Sequence, residues 1–252
     1  MSATQPRSIK SAERTLALLE LFSKVQAPLT VGEVSRELAI PQPSASMLVR
    51  NLAHLGYLEY DRSLRTFSPS IRVALLGNWI DRRFGQAHSL QQRLDVLQRR
   101  VKLTAYIAIQ NGPHAQYVMS QESREAGLNI ASGQYRSLTC SAPGRALMAL
   151  KSDLEIAAWV KRCNAEATED RFKVKLRDFM KLIENTRRRG YSETDGDQTP
   201  GLGAYAVTFP SPLGDMPLAV GAGGPMRFVD KRRDVILAGL MEFRDAFVRQ
   251  VG

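Results

Sequence analysis

The residues best suited to chemistry fall in one short stretch: Gln42, Ser44, Ser46, Met47 and Arg50. These types suit the reading of a nucleic-acid groove. A glutamine can hold adenine through paired hydrogen bonds, a serine is short enough to let a helix approach the groove floor, and an arginine neutralises a phosphate. Arg62 and Arg65 follow in a polar turn, where they would add affinity and salt dependence rather than sequence choice. Two other clusters could serve an enzyme: Cys140-Ser141 as a nucleophile and Glu193-Thr194-Asp195-Gly196-Asp197 as a metal loop. No base is spaced to activate Cys140 or Ser141, the three histidines (His54, His88, His114) sit in unrelated segments, and the acidic loop lacks calcium-hand spacing. No catalytic residue, metal site or cofactor is expected.

The elements that must position the first cluster are legible around it. Thr30 and Glu33 form a capping box, so a helix begins near Val31 and ends at Ile40-Pro41. A second helix spans Gln42 to His54, with Pro43 tolerated in its first turn and Gly56 placed for a left-handed terminus. Its apolar stripe is Ala45, Leu48, Val49, Leu52 and Leu55, which leaves the polar candidates mostly outside. The pair is a helix-turn-helix signature. Before it, a helix from an N-cap at Ser11 to about Lys24 repeats Thr15, Leu16, Leu19 and Phe22, with Leu18 and Leu21 left for a partner or for the core. After it, Tyr57 to Tyr60 and Thr66 to Ser68 alternate as a hairpin with Arg62 and Arg65 at its tip, which makes a wing. Ser70 to about Phe84 reads as a linker helix whose Leu76, Trp79 and Ile80 suit a dimer seam or plain packing, and Gly85-Gln86 breaks it.

Beyond the break the texture is mixed α and β. The pattern predicts a helix over Leu90 to Val101, a hairpin of Thr104 to Ile109 with His114 to Ser120, and a strand around Leu128 to Ala131. Helices follow from Pro143-Gly144 through Leu150, over Asp153 to Arg162 and over Lys173 to Arg189. Strands are expected near Tyr191, at Ala204 to Phe209 and at Met216 to Ala222, before a final helix from Val229 to Val248. The fold class is α+β, divided as residues 1–69, a linker at 70–85, and 86–252. The net charge of +10 favours a polyanionic partner without requiring one. Two cysteines are too few for a disulfide scaffold, and neither a signal-like run nor a membrane-length apolar stretch is present, so a cytoplasmic protein with reduced thiols is expected.

With these motifs placed, the chain resembles the isocitrate lyase regulator (IclR) family of bacterial transcription factors over nearly its whole length. The matching residues are Ala12 to Glu20, Leu52 to Asp61, Ser141-Ala142-Pro143-Gly144-Arg145-Ala146-Leu147-Met148-Ala149, and Arg189-Gly190-Tyr191-Ser192. The resemblance implies a winged helix-turn-helix, a linker helix and a GAF-like α/β effector domain. It further implies a dimer or dimer of dimers on palindromic double-stranded DNA, modulated by a small organic ligand, often a carboxylic or aromatic acid.

On that reading Gln42, Ser44, Ser46, Met47, Arg50, Arg62 and Arg65 face DNA. Met47 stands where many relatives carry arginine, so operator choice is expected to differ. Ligand-binding positions are expected at Ser141, Ala142 and Gly144, at Thr194, Ala204, Gly221 and Gly223, and on an apolar wall of Tyr106, Tyr117, Met119, Leu128 and Met148. Relatives can place an acid, a cysteine and two serines at Thr194, Ala204, Gly221 and Gly223; only Thr194 stays polar here, and Pro143 lacks a donor. A bulkier or more apolar acid is therefore favoured over a small hydroxylated one. The alternatives are a constitutive repressor with a closed pocket or a protein partner, and plain structural punctuation for the glycine and proline positions.

Overall fold

The computed structural model of the chain describes residues 9–76, 90–123, 130, 133–211 and 216–251. Two compact units meet in sequence at Trp79 and Ile80.

In the first unit, α1 (Lys10–Val25), α2 (Val31–Glu37) and α3 (Gln42–His54) precede a hairpin of β1 (Leu58–Asp61) and β2 (Thr66–Pro69) and the short α4 (Ile71–Leu76). The capping box at α2 is formed: Thr30 Oγ1 accepts from Glu33 N–H, and the Glu33 carboxylate accepts from Thr30 N–H at 2.7 Å. Those bonds hold the Glu33 carboxyl below its usual range. Ser11 does not cap α1. The helix starts two residues earlier, capped by Ile9 with no side-chain bond, and the Ser11 carbonyl accepts the Thr15 hydroxyl from inside the first turn.

Leu18 and Leu21, left open for a partner, are buried with Phe22, Val34, Val49 and Phe67 in the core of this unit. The face of α1 that stays exposed carries Leu16, at 62%. Leu55 also leaves the expected stripe and is exposed just beyond α3, because Gly56 turns the chain at φ 80°. Of the expected linker helix, only Ile71–Leu76 lies within the described residues; Leu76 is exposed there, and Trp79 and Ile80 lie outside them.

The second unit is built on a six-stranded antiparallel sheet in the order β5-β4-β3-β8-β7-β6. Its elements are α5 (Leu90–Val101), β3 (Thr104–Asn111), β4 (His114–Gln121), β5 (Tyr135–Ser137), α6 (Ala142–Ala149), α7 (Asp153–Ala165), α8 (Leu176–Arg189), β6 (Ser192–Asp195), β7 (Leu202–Phe209), β8 (Leu218–Pro225), α9 (Met226–Lys231) and α10 (Arg233–Val251). Strand alternation sends Ala105 and Ile107 to one face, packed with Leu94, Val101, Ile236 and Phe243, and Tyr106 and Ala108 to the other, packed with Leu138, Ile156 and Phe179.

Several boundaries differ from the sequence reading. The β3–β4 hairpin is extended by β5, which the sequence pattern had not marked; of the strand expected around Leu128 to Ala131 only Ile130 is described, and the rest lies outside the described residues. The expected helix from Lys173 starts at Leu176, after a 3-10 turn at Asp170–Phe172. The single final helix is two, because Arg232 interrupts it at φ −110°. Among the described residues no helix is long and apolar enough to cross a membrane.

Candidate functional site

Two sites emerge, one on each unit. In the first, α3 buries Ala45, Val49 and Leu52 and turns Gln42, Pro43, Met47, Arg50, Asn51 and His54 to solvent. Ser44 and Ser46 are half-buried at its flanks. Met47, at 73% exposed, is an apolar side chain at the centre of an otherwise polar face. Helical spacing makes Asn51 and His54 part of that face, which an emphasis on the N-terminal half had left out. No side chain caps the N-terminus of α3, so its leading backbone donors remain available to a phosphate.

The wing tip is preformed. The Asp61 carboxylate accepts from Ser63 N–H at 2.8 Å, from the Ser63 hydroxyl at 2.6 Å and from Leu64 N–H at 3.1 Å, and these bonds hold its carboxyl below the usual range. Arg62 and Arg65 are exposed on either side of that turn, and Arg65 sits in the left-handed region at φ 54°, where a glycine or asparagine would be easier. Behind α3, Arg72 Nη1 donates to the Leu55 carbonyl at 3.1 Å and lies over the Tyr57 ring, while the Ser70 hydroxyl donates to the Gly56 carbonyl at 2.6 Å. The start of α4 is thus tied to the end of the exposed helix, a connection that no sequence pattern had marked.

The second site is a cavity of about 80 Å³ in the second unit. Tyr106 from β3, Tyr117 from β4, Ser141 and Ala142 at the start of α6, Thr194 from β6 and Ala204 from β7 line it. Also on its wall, and not anticipated, are Arg136 from β5, Cys140, and Gln198, Thr199, Leu202 and Gly203 from the β6–β7 connection and its flank.

Six anticipated positions do not line it or cannot be placed on it. Met119 faces the opposite side of the sheet: the register slips between Ile107 and Ala108, so Tyr117 pairs with Ala108 but Met119 pairs with Ile107. Such a bulge reverses the side on which every later residue of the strand points. Met148 is fully buried in the core of the α6 side. Gly144, Gly221 and Gly223 are filled by protein rather than left for a ligand. A Cβ on Gly221 would meet the Tyr106 ring at 2.5 Å, one on Gly144 the Leu138 backbone at 2.5 Å, and one on Gly223 the Ala204 side chain at 2.8 Å. Leu128 lies outside the described residues.

The cavity wall is braced from behind. Arg145, 6% exposed at its side chain, donates to the carbonyls of Thr139 and Glu193 at 2.9 Å and pairs with Asp197 at 2.8 Å. Asp197 also accepts from Asp195 N–H, so one arginine joins α6 to the loop that supplies Gln198 and Thr199. Burial pushes the Tyr117 phenol up to about 12, partly offset by the nearby Arg136 guanidinium, and pushes Tyr106 well above its ordinary value. Both phenols stay protonated and able to donate at neutral pH.

Residues 11–62 match the IclR helix-turn-helix domain, and residues 83–246 match the bacterial transcriptional regulator IclR C-terminal domain. The chain belongs to the IclR family. It is a DNA-binding transcriptional regulator. Relatives of this IclR-family chain include the Pca regulon regulatory protein of Pseudomonas putida, 24% identical over 80% of this chain and 69% of that protein. The HTH-type transcriptional regulator BhcR of Paracoccus denitrificans is 24% identical over 96% of this chain and 87% of its own length.

Among solved structures, an IclR homolog complexed with 4-hydroxybenzoate from Microbacterium hydrocarbonoxydans superposes with a TM-score of 0.71 at 18% identity, covering 95% of this chain and 99% of that one. The Thermotoga maritima IclR gives a TM-score of 0.67 at 16% identity over 95% of this chain and 99% of that one. The clusters that could have served an enzyme are occupied structurally in this regulator. Ser141 caps α6 by accepting from Gly144 N–H and donates to the Ser137 carbonyl at 2.8 Å. Cys140 donates to the Phe172 carbonyl, and burial pushes its thiol up, away from the thiolate that a nucleophile needs. Glu193 and Asp197 are paired with Arg189 and Arg145.

Proposed function

We propose that this IclR-family regulator senses a small organic acid in the cavity of its second unit and answers by changing its grip on a two-fold operator. The observation that carries this reading is the cavity itself, walled by two buried tyrosines, hydroxyl side chains and the start of α6. A space of that size takes a small molecule and excludes a peptide. The relative bound to 4-hydroxybenzoate supports an aromatic acid as the first class to try.

In this reading residues 1–69 hold DNA, with Gln42, Ser44, Ser46 and Met47 toward base edges and Arg50, Arg62 and Arg65 toward phosphates. Residues 70–85 link, and 86–252 sense. One exposed helix covers a half-site, so a palindromic operator calls for a homodimer or a dimer of dimers. Ligand binding shifts the population of dimer arrangements and with it the spacing of the two α3 helices. Residues 70–76 are suited to carry that shift, because Ser70 and Arg72 bind backbone carbonyls at the end of α3.

A gel-shift titration on the promoter DNA beside its own gene, at two salt concentrations, tests the DNA half. The expected result is specific binding by two chains per site that weakens with salt and with Arg50→Ala. A thermal-shift screen of aromatic acids tests the other half, since a ligand of the native state raises its melting temperature. Specific DNA binding with no stabilising acid would leave a regulator without a small-molecule signal.

A further inference from the structure

Arg136, Tyr106 and Tyr117 line the cavity together; Arg136 forms no ion pair among the described residues and lies near enough to Tyr117 to oppose the rise of its phenol. Tyr106 is 1% exposed and Tyr117 5%, while Arg136 is half-buried. A guanidinium on a cavity wall beside two phenol donors offers a place for an anionic acceptor. Arg136 is also the one charged residue on the cavity wall among the described residues. Asp197, beside the wall residue Gln198, is engaged with Arg145, and Glu166, which lines a neighbouring cavity together with Arg136, is engaged with Arg162. The rest of the wall mixes apolar or small residues (Ile130, Ala142, Leu202, Ala204) with neutral polar ones (Ser141, Thr194, Gln198, Thr199), and the Tyr106 and Tyr117 rings meet edge to face at 4.9 Å. A space with two aromatic rings, neutral polar groups and one cation suits a ligand of the same build: a planar ring carrying a single carboxylate.

We infer that Arg136 is the residue that binds the effector's carboxylate, with the phenols of Tyr106 and Tyr117 completing its hydrogen bonds, so that the effector is a monoanionic aromatic acid. This deepens the sensor reading above and rests on it. The position follows from a strand that the sequence pattern did not mark. Arg136 sits on β5 opposite Ala115 of β4, two residues from Tyr117, and so comes to border the cavity. Arg136 and Gln198 also border a second, more polar cavity of about 170 Å³ that includes His114 and Thr168. A ring substituent able to hydrogen-bond could extend toward it past the carboxylate site.

The test is calorimetric titration of the full chain with 4-hydroxybenzoate, benzoate and the uncharged 4-hydroxybenzamide. Wild type is expected to bind the acids and to bind the amide at least about tenfold more weakly. Arg136→Gln should weaken both acids by about tenfold to a hundredfold, the range for a hydrogen bond to a charged group. Arg136→Lys should recover part of that loss, because a point charge remains but the fork is gone. Neither variant should lower the melting temperature of the free chain, since Arg136 is half-buried and forms no ion pair among the described residues. Acids that bind Arg136→Gln as tightly as wild type overturn the assignment, as does an amide that matches the acid in wild type; in both cases the sensor reading survives. Wild type that binds none of the three probes overturns the assignment and the aromatic-acid sensor together.

Discussion

The exposed face of α3 and the cavity of the second unit are opposite kinds of site. The first is one stretch of helix whose recognition side chains project into solvent, so removing them leaves the packing behind them intact. The second is assembled from five strands and one helix start, and its wall is also core: Tyr106 seals against Gly221, and Arg145 holds the loop that lines it. Changes to the first should cost affinity alone. Changes to the packed wall of the second, Arg136 apart, should cost stability and sensing at once.

The largest effect is expected at Arg145. Arg145→Ala removes a buried cation that ties two carbonyls and Asp197, and should destabilise the second unit by about 3 kcal/mol, read from chemical denaturation of the full chain. A loss as small as that of a surface arginine would mean that the loop holds itself. Next comes Gly221→Ala. Its new Cβ must displace the Tyr106 ring, at a cost of about 2 kcal/mol, and the displaced ring should fill the cavity and abolish acid binding. Retained acid binding would show that Gly221 is spare room.

A pH titration sharpens the contrast further. The Tyr117 phenol is raised in the folded chain, so its contribution is fully present below about pH 10 and is lost as pH rises toward about 12. That loss is roughly 3 kcal/mol, and Tyr117→Phe should remove it from the difference between the two pH values. An unchanged alkaline profile in the variant would place Tyr117 in contact with solvent. The smallest effects on stability belong to Arg50, Arg62 and Arg65, all exposed. Alanine at each should leave the unfolding midpoint within about 0.5 kcal/mol and flatten the salt dependence of operator binding by about one unit of slope. A change in stability instead would assign these arginines to the fold.

The same contrast explains what could be read in the amino-acid sequence. The start of α2, the bounds of α3, the capping box and the turn at Gly56 follow from neighbours within a few residues, and each is visible as a local pattern: Thr30 with Glu33, Pro41 before Gln42, glycine after the last helical turn; α2 itself ends at Glu37, short of the expected Ile40-Pro41, where the chain turns through Ala39 at φ 50°. The burial of Leu18 and Leu21 was less legible, because α1 is apolar on more than one side and only its partners decide which side is covered. The cavity depends on register. The slip that separates Met119 from Tyr117 leaves no mark in an alternating strand, and the use of Tyr135–Ser137 as the edge strand depends on pairing with β4. Glycines 144, 221 and 223 were expected to face a ligand, but what packs against them is Leu138, Tyr106 and Ala204. Arg136 carried no motif at all; its place on the cavity wall becomes visible only once its neighbours are known.

The most direct test of the sensor account is the affinity of the full chain for its promoter duplex, measured by fluorescence anisotropy with and without saturating 4-hydroxybenzoate. Coupling between the cavity and α3 predicts a change of at least about fivefold in operator affinity, the lower end of ordinary allosteric coupling, and no change in Arg136→Gln. An acid that binds by calorimetry yet leaves operator affinity unchanged would contradict it.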